Sequence, residues 1–170
     1  NRPVPPGQPG ELCVRAPLVM KGYHKLPEQT TEAFAGGWLH TGDIARFDSE
    51  GFLYIIDRKK DMVVTGGFNV FPREVEDVIS AHPAVAQVAV IGVPDERWGE
   101  AVKALVVLKP GVAESESLRD ELIARVKEAK GSVQAPKSLD FVGGIPLTPI
   151  GKPDKKALRA TYWAGAARRV

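Results

Sequence analysis

Few residues in this chain have the types and spacing that chemistry requires. The segment Pro146-Leu147-Thr148-Pro149-Ile150-Gly151-Lys152 places a lysine directly after a glycine, which invites a phosphate-binding loop. That motif needs G-x-x-x-x-G-K-[ST], with backbone N–H groups cradling phosphates and a hydroxyl on magnesium. Here the first glycine position is Pro146, and Pro153 stands where the hydroxyl residue belongs. Proline also removes one of the backbone donors that such a loop uses. The phosphate-loop reading fails, leaving a lysine on a loop rich in Pro and Gly. His24, His40 and His82 are scattered, with no i, i+4 partner and no cysteine neighbours, so no metal site is expected. Trp38, Trp98 and Trp163 read as packing residues, and no Ser-His-Asp arrangement can be assembled.

The elements that must position these residues have two textures. From Asn1 to about Asp57 the pattern is strand and turn. Glu11-Leu12-Cys13-Val14-Arg15 alternates polar and apolar, the period of a half-buried strand. Pro27 opens a short helix through Phe34, at a position where its missing N–H costs nothing, and Gly36-Gly37 ends it. Ile44–Phe47 and Phe52–Ile56 form two strands joined by the turn Asp48-Ser49-Glu50-Gly51. This half is short of helices and is not expected to close a core alone.

From Met62 onward the texture is α+β. Met62–Thr65 is a short β-branched strand followed by the Gly66-Gly67 turn. Pro72 starts a helix with Val75, Val78 and Ile79 at helical spacing. Val85–Ile91 and Ala101–Leu108 read as buried strands, with Pro94–Glu100 as a polar loop between them. Ser117, with Asp120 three residues on, is the expected N-cap of a helix that Gly131 stops. Leu139–Val142 is a last short strand, and a Pro/Gly-rich loop, Gly143–Pro153, precedes a final short helix near Ala157. Between the textures lies Asp57-Arg58-Lys59-Lys60-Asp61, five charges with no apolar anchor, which composition alone makes a solvated linker.

The chain has 170 residues, 44% hydrophobic and 26% charged, with a net charge of +2. That is room for one ordinary domain or two small pieces. The balance of 23 basic and 21 acidic residues includes no clustered basic face, so nucleic acid is not an expected partner. One cysteine, Cys13, excludes an internal disulfide framework and points to a reducing compartment. No apolar run approaches the ~20 residues of a membrane span, and no signal peptide is seen. A cytoplasmic location is therefore expected. The first residue is Asn rather than Met, and the chain reads as a fragment of something longer.

Five segments in order carry a resemblance over nearly the whole chain. They are Trp38-Leu39-His40-Thr41-Gly42-Asp43; Ile55-Ile56-Asp57-Arg58-Lys59-Lys60-Asp61; Gly66-Gly67-Phe68-Asn69-Val70-Phe71-Pro72-Arg73-Glu74-Val75-Glu76; Gly92-Val93-Pro94-Asp95 with Gly99-Glu100; and Pro146 to Lys152. Together they resemble the adenylate-forming superfamily of acyl- and aryl-CoA synthetases, peptide-synthetase adenylation domains and firefly luciferase. The wording around Lys59-Lys60-Asp61 and Gly66-Gly67-Phe68 is more similar to acyl-CoA synthetases than to amino-acid-activating domains.

The resemblance implies a two-step ligase in which ATP and a carboxylate, of fatty-acid type, give an acyl-adenylate and pyrophosphate, and CoA then displaces AMP. It implies an α+β fold: residues 1–57 as the β-rich, incomplete end of a large N-terminal domain, 58–61 as a hinge, and 62–170 as a mobile small domain with a short central sheet flanked by helices. The phosphate loop and acyl pocket would lie upstream in the missing N-terminal domain of the same chain, so the fragment alone is expected to be inactive. Asp43 and Arg58 resemble residues that contact the ATP ribose. Lys60 falls at the hinge position, where backbone torsions change. Gly66, Gly67 and Phe68 resemble the lining of the CoA pantetheine tunnel, where glycine permits close approach. Lys152 resembles the catalytic lysine that meets the carboxylate and α-phosphate during adenylation, a point charge on a flexible stem. Lys155, Lys156 and Arg159 read as solvated helix charges. Mg²⁺ is expected with ATP, but with no ligand in this fragment. Two alternatives stay open: an adenylating domain that loads a carrier protein's phosphopantetheine, and a non-catalytic binding module that retains the fold.

Overall fold

The computed structural model describes residues 2–164, which divide between Lys60 and Asp61 into two compact units. In the first unit, β1 (Gly10–Val14), β2 (Leu39–Phe47) and β3 (Leu53–Arg58) form an antiparallel sheet in that order. Helix α1 (Pro27–Ala33) precedes β2. The β2–β3 turn is built by Asp48, whose Oδ1 accepts the backbone N–H groups of Glu50 and Phe52, each at 2.9 Å. Those donors, Phe52 foremost, hold the Asp48 carboxyl below its ordinary value. Only Ile44 and Ala45 are buried hydrophobics here, while Phe47, Leu53, Tyr54 and Ile55 stay exposed. As the sequence predicts, this sheet closes no substantial core by itself.

The second unit has its own core. Strands β4 (Val63–Thr65) and β5 (Phe68–Val70) form a hairpin, followed by α2 (Pro72–Ser80), β6 (Val85–Asp95), β7 (Gly99–Leu108), α3 (Glu116–Lys130), β8 (Ser138–Phe141) and α4 (Lys155–Ala160). The sheet order is β5-β4-β7-β6, and β8 is the parallel exception, paired with β7 over Lys103–Val106. Because β6 occupies one edge of β7 along its whole length, β4 and β8 share the other edge, β4 touching it at Thr65–Gly99. Val75 and Ile79 of α2 and Leu122 and Val126 of α3 are fully buried against Val90, Val102 and Val106 of the sheet. Each such side chain contributes about 1.5–3 kcal/mol relative to exposure. The second unit thus has the packing that the first lacks.

Four details depart from the sequence reading. The loop expected over Pro94–Glu100 shrinks to three residues, because β6 continues through Asp95 and β7 starts at Gly99. Pro94 is tolerated because β6 is an edge strand, where a missing donor need not break a ladder. The cap of α3 is Ser115, not Ser117: its side chain accepts the Leu118 N–H at 3.2 Å. Strand β5, three residues long, had no periodicity to announce it. Finally, Asp57–Asp61 is no solvated linker: Asp57 and Arg58 end β3, and Lys59–Asp61 make a 3₁₀ turn. No helix among the described residues is long and apolar enough to cross a membrane.

Candidate functional site

Asp43 and Arg58 are Cα partners in the β2–β3 ladder, so the antiparallel register brings the two ribose candidates together. Arg58 Nε donates to Asp43 Oδ1 at 2.9 Å. Gly42, at φ +73°, turns the chain immediately before Asp43, a conformation that favours glycine. The Thr41 hydroxyl donates to the Leu12 carbonyl at 2.9 Å and accepts the Asp43 N–H at 3.1 Å. Asp43 is therefore held from both its backbone and its carboxylate. Its side chain keeps 30% of its surface open, and its second oxygen carries no partner among the described residues.

Next to Arg58, Lys59 Nζ donates to Glu11 Oε2 at 2.9 Å, and His40 Nδ1 lies 2.9 Å from the same oxygen. Burial alone would raise the Glu11 carboxyl; the hydrogen bonds and charges of His40 and Lys59 outweigh it and hold the group below its ordinary value. The Cys13 thiol lies 3.5 Å from His40 Nδ1 and is pushed up, first by burial and then by the Glu11 carboxylate. The expectation that the histidines stand apart from cysteine fails at His40, because β1 and β2 pair Cys13 with it across the sheet.

In the second unit, Gly66 and Gly67 form the two-residue turn of the β4–β5 hairpin, at φ +56° and +84°, the left-handed pair that a tight hairpin of this kind demands. The Gly66 N–H donates to the Trp98 carbonyl at 2.9 Å, and a Cβ on Gly66 would stand 2.6 Å from Trp98 Cε3. Trp98 sits on the β6–β7 turn, where Asp95 Oδ1 accepts the N–H groups of Arg97 and Trp98. Phe68, which follows the Gly66-Gly67 turn, is 62% exposed. A second support is Glu100, buried, whose Oε2 accepts the Val64 N–H at 3.1 Å. A Cβ on Gly92 would meet that same oxygen at 2.5 Å. The sequence signal for Trp98 and Glu100 is the motif Gly92-Val93-Pro94-Asp95 with Gly99-Glu100, which spacing alone does not tie to the glycine turn.

Lys152 lies on a different loop. The Thr148 N–H donates to the Lys152 carbonyl at 2.7 Å, the Gly151 N–H to the Thr148 carbonyl at 2.8 Å, and the Lys152 N–H to Thr148 Oγ1 at 3.2 Å. The backbone is fixed while the Lys152 side chain is exposed and has no partner among the described residues. The loop leads into α4, which is anchored by Lys155 to Glu76 at 2.7 Å, Arg159 to Asp61 at 2.8 Å, and the Trp163 indole N–H to the Gly92 carbonyl at 2.9 Å. Lys155 and Arg159 are thus structural ion pairs, not the solvated charges expected.

Residues 74–152 match the AMP-binding enzyme C-terminal domain. The chain is 60% identical over 174 residues to the medium/long-chain-fatty-acid–CoA ligase FadD8 of Mycobacterium tuberculosis, covering 100% of this chain and 30% of that protein. It is 49% identical over 157 residues to the long-chain-fatty-acid–CoA ligase of Escherichia coli O6:H1, covering 92% and 27%. Among solved structures, the amide bond synthetase McbA of Marinactinospora thermotolerans matches with a TM-score of 0.83 and 42% identity, covering 94% of this chain and 32% of that one. The chain therefore spans less than a third of the length of these relatives.

Proposed function

As this chain belongs to the adenylate-forming superfamily, as its C-terminal portion, we propose that the full-length protein is an AMP-forming acyl-CoA synthetase for fatty acids. A carboxylate oxygen attacks the ATP α-phosphorus and pyrophosphate leaves; the CoA thiol then attacks the acyl carbon and AMP leaves. The observation that carries this reading is the 60% identity, along the whole chain, to a fatty-acid–CoA ligase. The single cysteine fits a reducing, cytoplasmic setting.

In this proposal Asp43 accepts hydrogen bonds from the ribose hydroxyls, charge-assisted bonds of the stronger kind. Arg58 braces Asp43 and adds a contact to the same sugar. Lys152 supplies its ammonium where negative charge gathers between the carboxylate and the α-phosphate, and its unpaired, exposed side chain supports that role. Gly66 and Gly67 let pantetheine pass close to the backbone, with Phe68 beside it. Lys60 is the hinge, a role supported by the division of the chain between Lys60 and Asp61. Mg²⁺ is a hard cation that takes oxygen ligands, and the thiol and imidazole of the Glu11, Cys13 and His40 cluster do not suit it. No step is therefore assigned to a metal held by this chain.

The test is to supply full-length enzyme with ATP, CoA and a panel of carboxylates, and to measure AMP, pyrophosphate and free thioester. Acyl-CoA release with medium- and long-chain acids is expected. Adenylate formation without transfer to CoA, but with acylation of a carrier protein, would replace this reading with the carrier-loading alternative.

A further inference from the structure

Glu11 and Cys13 stand two residues apart on β1, and His40 lies opposite Cys13 on β2. One ligand atom from each, a carboxylate oxygen, Sγ and a ring nitrogen, falls within 4.8 Å of the other two. Cys13 Sγ to His40 Nδ1 is 3.5 Å and His40 Nδ1 to Glu11 Oε2 is 2.9 Å. A tetrahedral centre with bonds of about 2.3 Å to sulfur and about 2.0–2.2 Å to nitrogen and oxygen sets its ligands roughly 3.3–3.6 Å apart. Two of the three separations lie within tenths of an ångström of that geometry, and the third is no more than 4.8 Å.

The outer shell fits as well. His40 Nε2 lies 3.2 Å from the Ala35 carbonyl, which only accepts and so suits the Nε2–H tautomer that frees Nδ1 for a metal. A backbone carbonyl on the far nitrogen is the usual device for orienting a metal-binding imidazole and turning the other nitrogen to the metal. Nδ1 and Glu11 Oε2 face each other at 2.9 Å, so a metal bound at both would take the place of the hydrogen that joins them.

We propose that Glu11, Cys13 and His40 form a site for a thiophilic divalent cation of the zinc class. The S, N, O ligand set selects such an ion over magnesium or calcium. Binding releases the thiol proton and the proton shared between Nδ1 and Oε2. A cavity of about 560 Å³, bordered by all three residues and by Trp38, adjoins the site and leaves room for a fourth ligand. Lys59, whose ammonium shares Glu11 Oε2, is the competing cation, and metal entry displaces it. Lys59 follows Arg58, the partner of Asp43, so occupancy is felt one residue from the proposed nucleotide contact.

The test uses full-length apo-protein titrated with Co²⁺, comparing wild type with Cys13→Ala so that upstream cysteines cancel. A thiolate-to-cobalt charge-transfer absorption, one equivalent per chain, is expected in the difference spectrum and should bleach on adding Zn²⁺. Glu11→Gln and His40→Gln should each weaken Co²⁺ binding by at least about tenfold, with folding checked by circular dichroism. Should His40→Gln fail to fold, Glu11→Gln alone decides. No difference between wild type and Cys13→Ala overturns the site, and so does a difference band that Glu11→Gln leaves at full affinity.

Discussion

Arg58 Nε reaches Asp43 Oδ1 at 2.9 Å because the two residues are directly opposed in the β2–β3 ladder. The pair is set by strand register, not by flexible loops, which leaves Asp43 little freedom to turn away from the place proposed for the ATP ribose. Loss of a hydrogen bond to a charged group costs about 1.5–3 kcal/mol, or roughly 10- to 150-fold. Asp43→Ala in the full-length enzyme should raise the KM for ATP by that factor and leave the ranking of carboxylates unchanged. Arg58→Lys should also impair ATP use, since a lysine offers no Nε in that place. A changed acyl preference with unchanged ATP dependence would remove Asp43 from the nucleotide site.

Lys152 and the Gly66-Gly67 turn occupy separate loops of one compact unit, and the proposed function assigns each half-reaction to one of them. Lys152→Ala should slow adenylation by about 10²–10³, the loss of about 3–4 kcal/mol expected for one preorganised electrostatic donor. Thioester formation from pre-made acyl-adenylate and CoA should stay within about threefold of wild type, a difference well below that donor's worth. Single-turnover measurement of each step separates the outcomes, and equal losses in both would make Lys152 structural.

The hinge proposal concerns backbone freedom. Lys60→Pro fixes φ near about −65°, so overall turnover should fall while at least one half-reaction survives. Normal steady-state kinetics with proline at this position would place the hinge elsewhere.

Gly66→Ala would suffer twice. Its φ of +56° costs about 1–2 kcal/mol for a residue with a Cβ, and the new methyl would stand 2.6 Å from Trp98, adding overpacking of about 1–3 kcal/mol. A lower urea midpoint and a higher KM for CoA are expected. Combining it with Trp98→Ala should recover the steric part alone, which a double-mutant cycle reads directly. Strict additivity of the two changes would show that Trp98 does not press on this turn.

Glu11 links stability to pH. Its folded carboxyl sits below its ordinary value, so the unfolded chain takes up the proton first as pH falls. The stabilisation is fully present above the unfolded value and is lost as pH drops through the folded one. Urea midpoints in the presence of a chelator should show wild type more stable than Glu11→Gln near neutrality, with the gap closing in acid. A gap that widens on acidification would contradict this assignment.

Most of the fold is legible in the sequence where periodicity is strong. The Val-rich pair β6 and β7 and the helix after Pro72 follow from apolar spacing and a proline start, while β5 is too short for any period. Ser115 and Ser117 offer the same capping chemistry two residues apart, and only the helix register chooses between them. The charged stretch at 57–61 misleads because composition cannot reveal partners far along the chain: Asp43, Glu11 and Arg159 absorb three of its charges. The proximity of Cys13 and His40 is invisible for the same reason, being a product of strand pairing across 27 residues.

The Arg159–Asp61 pair closes 98 residues of chain, clasping the first residue of the second unit to its last described helix. A segment whose two ends are fastened to each other, and whose valine-rich interior is its own, is suited to being moved as a cassette. Cut before Asp61 and grafted onto the large domain of a related ligase, it would bring its clasp, its glycine turn and its lysine loop together.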